Sequence, residues 1–241
     1  MSAKVGSTGM SKLYVGSTEA KRMYVGDTLA YQAAFAHTFS GTTMPPELPV
    51  GNEFKYSENG GTMTPASLSV SSGRLNVLSP TGTTSNFRYA TGRCFLNPLS
   101  TNRHWTEITV TNDTLGASYP RAAGACVGGS NNVFTNGVIA WTANVNGANS
   151  LQIFSKVGGT LTQRATVNNQ LQSPDKLRLV ITHNGTNFVY TAYKNGVSAL
   201  VWSDTGGIIT PGLWPGVVLQ GVMSASWFGP QTISAMAYGE N

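Results

Sequence analysis

Two Asn-Gly pairs separate three stretches of alternating residues near the end of the chain, and this pattern constrains the fold more than any other. The stretches are Leu177–Thr182, Phe188–Tyr193 and Ser198–Ser203, and the turns between them contain Asn184-Gly185 and Asn195-Gly196. Asn and Gly both tolerate positive φ, so Asn-Gly between alternating strands favours a two-residue hairpin turn. The sequence therefore predicts a three-stranded antiparallel meander here.

The same period-two pattern extends over most of the chain. Hydrophobic and polar residues alternate in Leu68–Val77, in Ile108–Thr111 and in Leu151–Val157. Such alternation is typical of strands with one face in water. Charged residues make up only 10% of the 241 residues, against roughly a quarter in typical soluble domains. We therefore expect an all-β fold, an antiparallel β-sandwich or jelly roll, with a surface wetted mainly by Ser, Thr and Asn.

The first 33 residues repeat a short motif. Tyr14-Val15-Gly16-Ser17-Thr18 returns as Tyr24-Val25-Gly26-Asp27-Thr28. Each copy reads as a short strand ended by Gly, and Glu19–Arg22 between them fits either an extended link or one helical turn. A lone hairpin is marginally stable in water, so this segment must dock on another surface. We divide the chain into an attachment segment, residues 1–33, and a sandwich domain, residues 34–241.

The sequence lacks the usual patterns of catalytic and metal sites. Its ten acidic residues are spread so that no two stand closer than five positions, which removes the clustered carboxylates of β-sandwich glycosidases. The three histidines are far apart, and no phosphate-binding glycine loop or nucleophile elbow occurs. We predict a protein that is not an enzyme and has no catalytic residues, cofactor or metal ligands. Cys94 and Cys126 both lie in apolar stretches and are expected to be buried free thiols.

Charge and hydropathy argue against two classes of partner. The formal net charge is +5, but the basic residues stand singly except for Lys21-Arg22, whereas nucleic-acid binders usually cluster them. No apolar run approaches the roughly 20 residues of a membrane span, and no secretory signal core precedes a small-residue cleavage site. We expect neither nucleic-acid binding nor membrane insertion.

Aromatic and amide side chains in loops are the remaining candidates for ligand contact. Sugar-binding proteins stack the apolar C–H face of a pyranose on an exposed ring and bond its hydroxyls with polar side chains. Loop-like or strand-end positions in this chain give the candidate ligand residues Trp105, Tyr119, Arg121, Asn131, Asn132 and Trp214. Packing within loops is the alternative for Trp105, Tyr119 and Trp214. Trp141 and Trp202 lie inside strands and are expected in the core.

Two parts of the chain resemble known families. The doubled Y-V-G-[SD]-T segment, from Lys12 to Tyr31, resembles the N-terminal segment of minor tail proteins of phages that infect actinobacteria. The rest of the chain resembles the concanavalin A-like lectin or laminin-G-like jelly roll. That likeness rests on Ser71-Ser72-Gly73-Arg74-Leu75, Leu177-Arg178-Leu179, Tyr193-Lys194-Asn195-Gly196 and Thr210-Pro211-Gly212-Leu213.

The resemblance implies a structural protein of the virion tail, assembled in the host cytoplasm. Other tail proteins and further copies of the chain would be its partners, and the jelly roll would contact host-surface carbohydrate. The N-terminal residues expected at the assembly interface are Leu13, Tyr14, Val15, Met23, Tyr24, Val25, Leu29 and Tyr31. Two alternatives stay open: a decoration or cement protein of tail or capsid that binds no sugar, and a glycan depolymerase.

Overall fold

The computed structural model describes most of the sandwich domain and part of the N-terminal segment. The described residues are 13–15, 18–20, 22–25, 28–32, 35–49, 52–57, 67–77, 87–111, 121–145, 148–168, 174–224, 226–228 and 231–241. Within them every regular element is a β-strand and every strand pairing is antiparallel.

Two short hairpins form the described part of the N-terminal segment. Strand β1 (Leu13–Val15) pairs with β2 (Thr18–Ala20), and β3 (Arg22–Val25) pairs with β4 (Thr28–Gln32). Because Glu19, Ala20 and Arg22 lie in strands, the helical-turn interpretation of this link is wrong. The predicted assembly residues lie in β1, β3 and β4, but their side chains fall outside the described part of the chain. Their role stays a prediction.

The first of two large sheets contains the predicted meander. Its strands, in spatial order, are β17 (Val197–Ser203), β16 (Phe188–Lys194), β15 (Lys176–His183), β10 (His104–Thr111), β20 (Thr232–Glu240), β8 (Arg74–Val77) and β7 (Leu68–Ser71), and β5 (Phe35–Thr38) also pairs with β20. Asn195 has φ 51° and Gly196 has φ 83°, so the β16–β17 turn uses the positive φ that the Asn-Gly pair permits. The meander prediction is confirmed.

The second sheet is built mainly from the middle of the chain. Its strands, in spatial order, are β14 (Thr160–Val167), β13 (Ala148–Val157), β12 (Gly137–Val145), β11 (Arg121–Gly129), β18 (Trp214–Ser224), β9 (Phe87–Cys94) and β6 (Glu53–Ser57), and β19 (Ser226–Phe228) pairs with β18. The predicted antiparallel sandwich is therefore confirmed.

The main core lies between the two sheets. Alternate residues of each strand point inward, as Ile108 and Val110 do from β10 and as Ala123 and Ala125 do from β11. Tyr190 and Trp202, on neighbouring strands, stack there with ring centroids 5.1 Å apart. Small residues of β11 and the aromatic rings of β16 and β17 thus contribute to one core.

A second apolar cluster covers the outer face of the second sheet. It contains Phe54, Phe134, Trp141, Cys94 and Cys126, all buried. Phe134 belongs to the loop of residues 130–136, and its ring stacks on Phe54 with centroids 5.0 Å apart. This loop therefore closes over one end of the sheet, and the predicted burial of Trp141 is confirmed.

Candidate functional site

The outer face of the first sheet presents a row of side chains to solvent. Burial alternates along β10, so that His104, Thr106 and Ile108 are buried while Trp105 and Glu107 are half-buried on the opposite face. Thr106 confirms the direction, because its Oγ1 donates a hydrogen bond across the sandwich to the Cys126 carbonyl at 2.8 Å. Trp105 and Glu107 therefore point away from the core.

Trp105, Glu107 and Arg178 form one connected group on this face. Register places Arg178 of β15 directly opposite Glu107 of β10. The Arg178 guanidinium lies 4.3 Å from the centroid of the Trp105 ring, and its Nε donates to Glu107 Oε2 at 2.8 Å. A cation over an aromatic face and a charge-assisted hydrogen bond act together here, so Arg178 links Trp105 to Glu107.

A shallow depression of about 140 Å³ lies beside this group. Ala36, Ala235 and Ala237 contribute small side chains from the neighbouring strands β5 and β20. The other residues that line the depression are His37, Thr38, Glu107, Thr109, Lys176 and Met236. The depression exists because β5 and β20 carry alanines where β10 and β15 carry long polar residues. We call Trp105, Glu107, Lys176, Arg178 and this depression the sheet-face site.

Glu107 and Lys176 place opposite charges at the rim. Lys176 Nζ lies 3.8 Å from Glu107 Oε1, and the Lys176 side chain is 58% exposed while that of Glu107 is 18% exposed. That distance is longer than a hydrogen bond. Glu107 is the one carboxylate among the described residues that line the depression, whereas glycoside hydrolysis ordinarily needs two flanking carboxyl groups. Glu107 and Lys176 give the rim one hydrogen-bond acceptor and one donor.

Three of the sequence-predicted residues lie elsewhere, at one end of the second sheet. Asn131 Oδ1 accepts from the Thr135 amide at 3.0 Å, and Asn132 Nδ2 donates to Asn52 Oδ1 at 3.0 Å. Trp214 begins β18 opposite Gly129 of β11, next to the same loop. Asn131 and Asn132 thus have structural hydrogen bonds that shape the 130–136 loop.

Trp105 lies at the same end of the sandwich but on the opposite outer face. His104, its neighbour, bonds across the core to Gly128, while the 130–136 loop covers the outside of the second sheet. Packed sheets stand about 10 Å apart, so the structure does not join Trp105 with Asn131, Asn132 and Trp214. Arg121 starts β11, at the end of that strand away from Gly129. Its side chain and the whole of Tyr119 lie outside the described residues.

Sequence reasoning missed Glu107, Lys176 and Arg178. The run His104–Thr111 does place Trp105, Glu107 and Thr109 on one face of a strand. The pairing of this strand with Lys176 and Arg178, about seventy positions later, carries no local signal. These charged side chains reach Trp105 only because β10 and β15 pair in the folded sheet.

A buried lysine supports the loop over the second sheet. Lys156 Nζ donates to the Phe134 carbonyl at 2.6 Å and lies 5.4 Å from the centroid of Phe54. Burial lowers the pKa of Lys156, against the opposing effect of the thiols of Cys126 and Cys94. The hydrogen bond from Lys156 to Phe134 holds the 130–136 loop against the second sheet.

Cys94 and Cys126 are free and buried, as predicted. Both are opposite Gly216 in register, on either side of β18. Two strand spacings of nearly 5 Å separate their backbones, which exceeds the reach of a disulfide. Burial raises the pKa of both thiols.

Within the described ranges, no three His, Cys, Asp or Glu side chains come together as a metal site would require. No helix in the same ranges has the length and apolar character to cross a bilayer.

Comparisons with known proteins relate this chain to others through structure. No protein-family model and no curated protein sequence matches it. The potassium-bound carbohydrate recognition domain of Emp46p is similar with a TM-score of 0.50 at 12% identity, over 82% of this chain and 95% of that one. A legume lectin-like domain from Entamoeba histolytica gives a TM-score of 0.47 at 10% identity, over 80% and 91%.

A phage protein also appears among the similar structures. The CBM2 module of the evolved Dit of Lactobacillus casei BL23 phage J-1 gives a TM-score of 0.45 at 10% identity, over 79% of this chain and 90% of that one. Likeness at this level concerns the arrangement of strands. The described residues form an antiparallel two-sheet β-sandwich, and the Emp46p domain shares this fold.

Proposed function

We propose that this protein is a non-catalytic carbohydrate-binding protein that uses the sheet-face site. The observation that carries the proposal is the Trp105–Arg178–Glu107 group beside a depression with small apolar side chains. An aromatic ring combines a large apolar surface with defined geometry, and ligand sites typically add a few fixed polar groups to an apolar lining. Those two components suit the C–H face and the hydroxyls of a sugar.

The fold is compatible with this role, but folds of this kind host many functions. Support for the proposal comes from the side chains. Arg178 fixes Glu107, and Trp105 keeps its half-buried position on the open face of β10. A ligand would meet groups that are already oriented, so less conformational entropy would be lost on binding.

The fuller role that we propose is that of a phage minor tail protein whose sandwich contacts host-envelope glycans. The doubled Y-V-G-[SD]-T segment supports it, because the segment forms two hairpins too small to be stable alone. Docking of these hairpins on other tail proteins would display many copies of the sandwich. Repetition raises the avidity of weak single sites by roughly 10²–10⁴.

A second candidate is a decoration protein that binds no sugar. Leu96, Val133 and Leu213 are exposed apolar side chains in segments joined by backbone hydrogen bonds or by the Asn132–Asn52 contact. Such side chains would suit contact with a neighbouring subunit. This role predicts that a neighbouring subunit buries Trp105 in assembled particles, and that added sugar does not change this burial.

The experiment uses the full chain, biotinylated and tetramerised on streptavidin, on an array of bacterial wall glycans and polysaccharides. We expect binding that Trp105→Ala reduces at least tenfold, and that Val201→Ala, an exposed change on the same sheet, leaves unchanged. Thermal unfolding confirms that each variant is folded. Absence of binding to every glycan, or wild-type binding by Trp105→Ala, would overturn the proposal.

Trp214→Ala distinguishes the two faces of the sandwich in the same assay. Loss of binding with Trp214→Ala but not with Trp105→Ala would move the site to the 130–136 loop. For the tail role, electron micrographs of labelled particles should locate the chain in the tail. Its absence from purified particles would contradict that role.

A further inference from the structure

We infer that the ligand of the sheet-face site carries two free neighbouring ring hydroxyls, a vicinal diol, held between Glu107 and Lys176. This inference rests on the proposed carbohydrate-binding function and narrows its ligand class.

The two oxygens of Glu107 have different surroundings. Oε2 accepts the hydrogen bond from Arg178 Nε at 2.8 Å. Oε1 faces Lys176 Nζ at 3.8 Å, beyond hydrogen-bond distance. A carboxylate oxygen and an ammonium thus stand side by side at the rim of the depression, close enough for one ligand to contact both.

Neighbouring hydroxyls match this pair of groups. An ionised carboxylate only accepts hydrogen bonds and an ammonium only donates them, whereas a hydroxyl does both. One hydroxyl would donate to Glu107 Oε1, and the next hydroxyl on the ring would accept from Lys176 Nζ. Both bonds are charge-assisted and therefore stronger than neutral ones. Two neighbouring hydroxyls give each group its own partner, whereas an isolated hydroxyl would have to bond to both groups at once.

A neutral polyol can use both charges of the rim, because its hydroxyls both donate and accept hydrogen bonds. The alanines from β5 and β20 leave room for the ring, and Arg178 acts as a positioning residue that holds Glu107.

The test uses the tetramerised full chain and four immobilised polysaccharides. Dextran, mannan and arabinogalactan carry vicinal diols along their chains, whereas the linkage of curdlan leaves no two neighbouring ring hydroxyls free in the chain interior. Each is tested before and after periodate oxidation and borohydride reduction, which cleaves vicinal diols. We expect binding to at least one of the first three, at least a tenfold loss after oxidation, and no binding to curdlan.

Two variants examine the residues themselves. Glu107→Gln and Lys176→Met should each weaken binding about tenfold or more, while Lys55→Met, an exposed lysine on the second sheet, should leave it unchanged. Thermal unfolding checks that the variants are folded. Binding to curdlan as strong as to the other three polymers would overturn the inference.

The outcomes distinguish a failure of the diol assignment from a failure of the proposed carbohydrate-binding function. Binding that needs Trp105 but survives periodate, or that is unchanged in both Glu107→Gln and Lys176→Met, would overturn the diol assignment alone. No binding to any polysaccharide would overturn the carbohydrate-binding function and the diol assignment together.

Discussion

The imidazole of His104 joins the two sheets through the backbone of Gly128. His104 Nε2 accepts the Gly128 amide hydrogen bond at 3.0 Å, and Nδ1 lies 3.2 Å from the Thr101 carbonyl oxygen. This arrangement requires a neutral ring with its proton on Nδ1. Because the ring is buried, its pKa is lowered from 6.5 to about 4.

Stability should therefore fall as the pH drops from about 6.5 to 4. In that window His104 takes up a proton in the unfolded chain but not in the folded one, so acid favours unfolding. Below about pH 4 both states are protonated and this effect levels off. Protonation of His104 should lower the free energy of unfolding by on the order of 3 kcal/mol across this window. Urea unfolding at a series of pH values measures it.

His104→Gln provides the control for this prediction. The variant should be less stable at pH 7, because it loses the two-sided hydrogen bonding, but its stability should change less between pH 6.5 and 4. An equal pH dependence in both proteins would show that other groups cause the acid sensitivity.

The thiols of Cys94 and Cys126 should be unreactive in the native protein. Both are buried, and burial raises the pKa of each thiol, so little thiolate is present to react. Ellman's reagent should detect almost no thiol before unfolding and two per chain in denaturant. Rapid reaction of either thiol under native conditions would mean that the 130–136 loop opens readily.

Gly92→Ala should destabilise the second sheet by about 1–3 kcal/mol. A Cβ at position 92 would overlap the ring of Phe54, the register partner of Gly92 on β6. In Phe54→Leu the smaller side chain can move aside, so the cost of Gly92→Ala should shrink. A double-mutant cycle measured by urea unfolding tests this coupling, and strict additivity would contradict it.

Deletion of residues 1–33 should leave a folded, soluble sandwich that no longer incorporates into particles. Strand β5 begins at Phe35, whose ring lies 5.1 Å from that of Tyr238, centroid to centroid, so the cut preserves this contact. Deletion of residues 1–39 also removes Phe35 and buried Phe39 and should lower the unfolding free energy by at least about 3 kcal/mol. Calorimetry and solubility measurements compare the stability of the two truncated chains. An insoluble 34–241 chain would place the domain boundary earlier.

Much of the fold could be predicted from local pattern, and part of the candidate site could not. Alternation and Asn-Gly turns indicated strands β15 to β17, because those signals come from adjacent residues. Trp105 was predicted as a ligand residue from its place between a loop and a strand. Other residues predicted at the ligand site do not join it. Asn131 and Asn132 bond within and beside their own loop, while Arg178 contacts the Trp105 ring and bonds to Glu107.

By itself, the sequence determined the strand class, the hairpins, the burial of the cysteines and the scarcity of charge, since each follows from neighbours along the chain. Tertiary structure alone decided which strands lie side by side. The pairing of β10 with β15 and β20 placed a cation over Trp105 and alanines beside Glu107. Such placement depends on contacts between residues far apart in sequence, which period and turn chemistry do not encode.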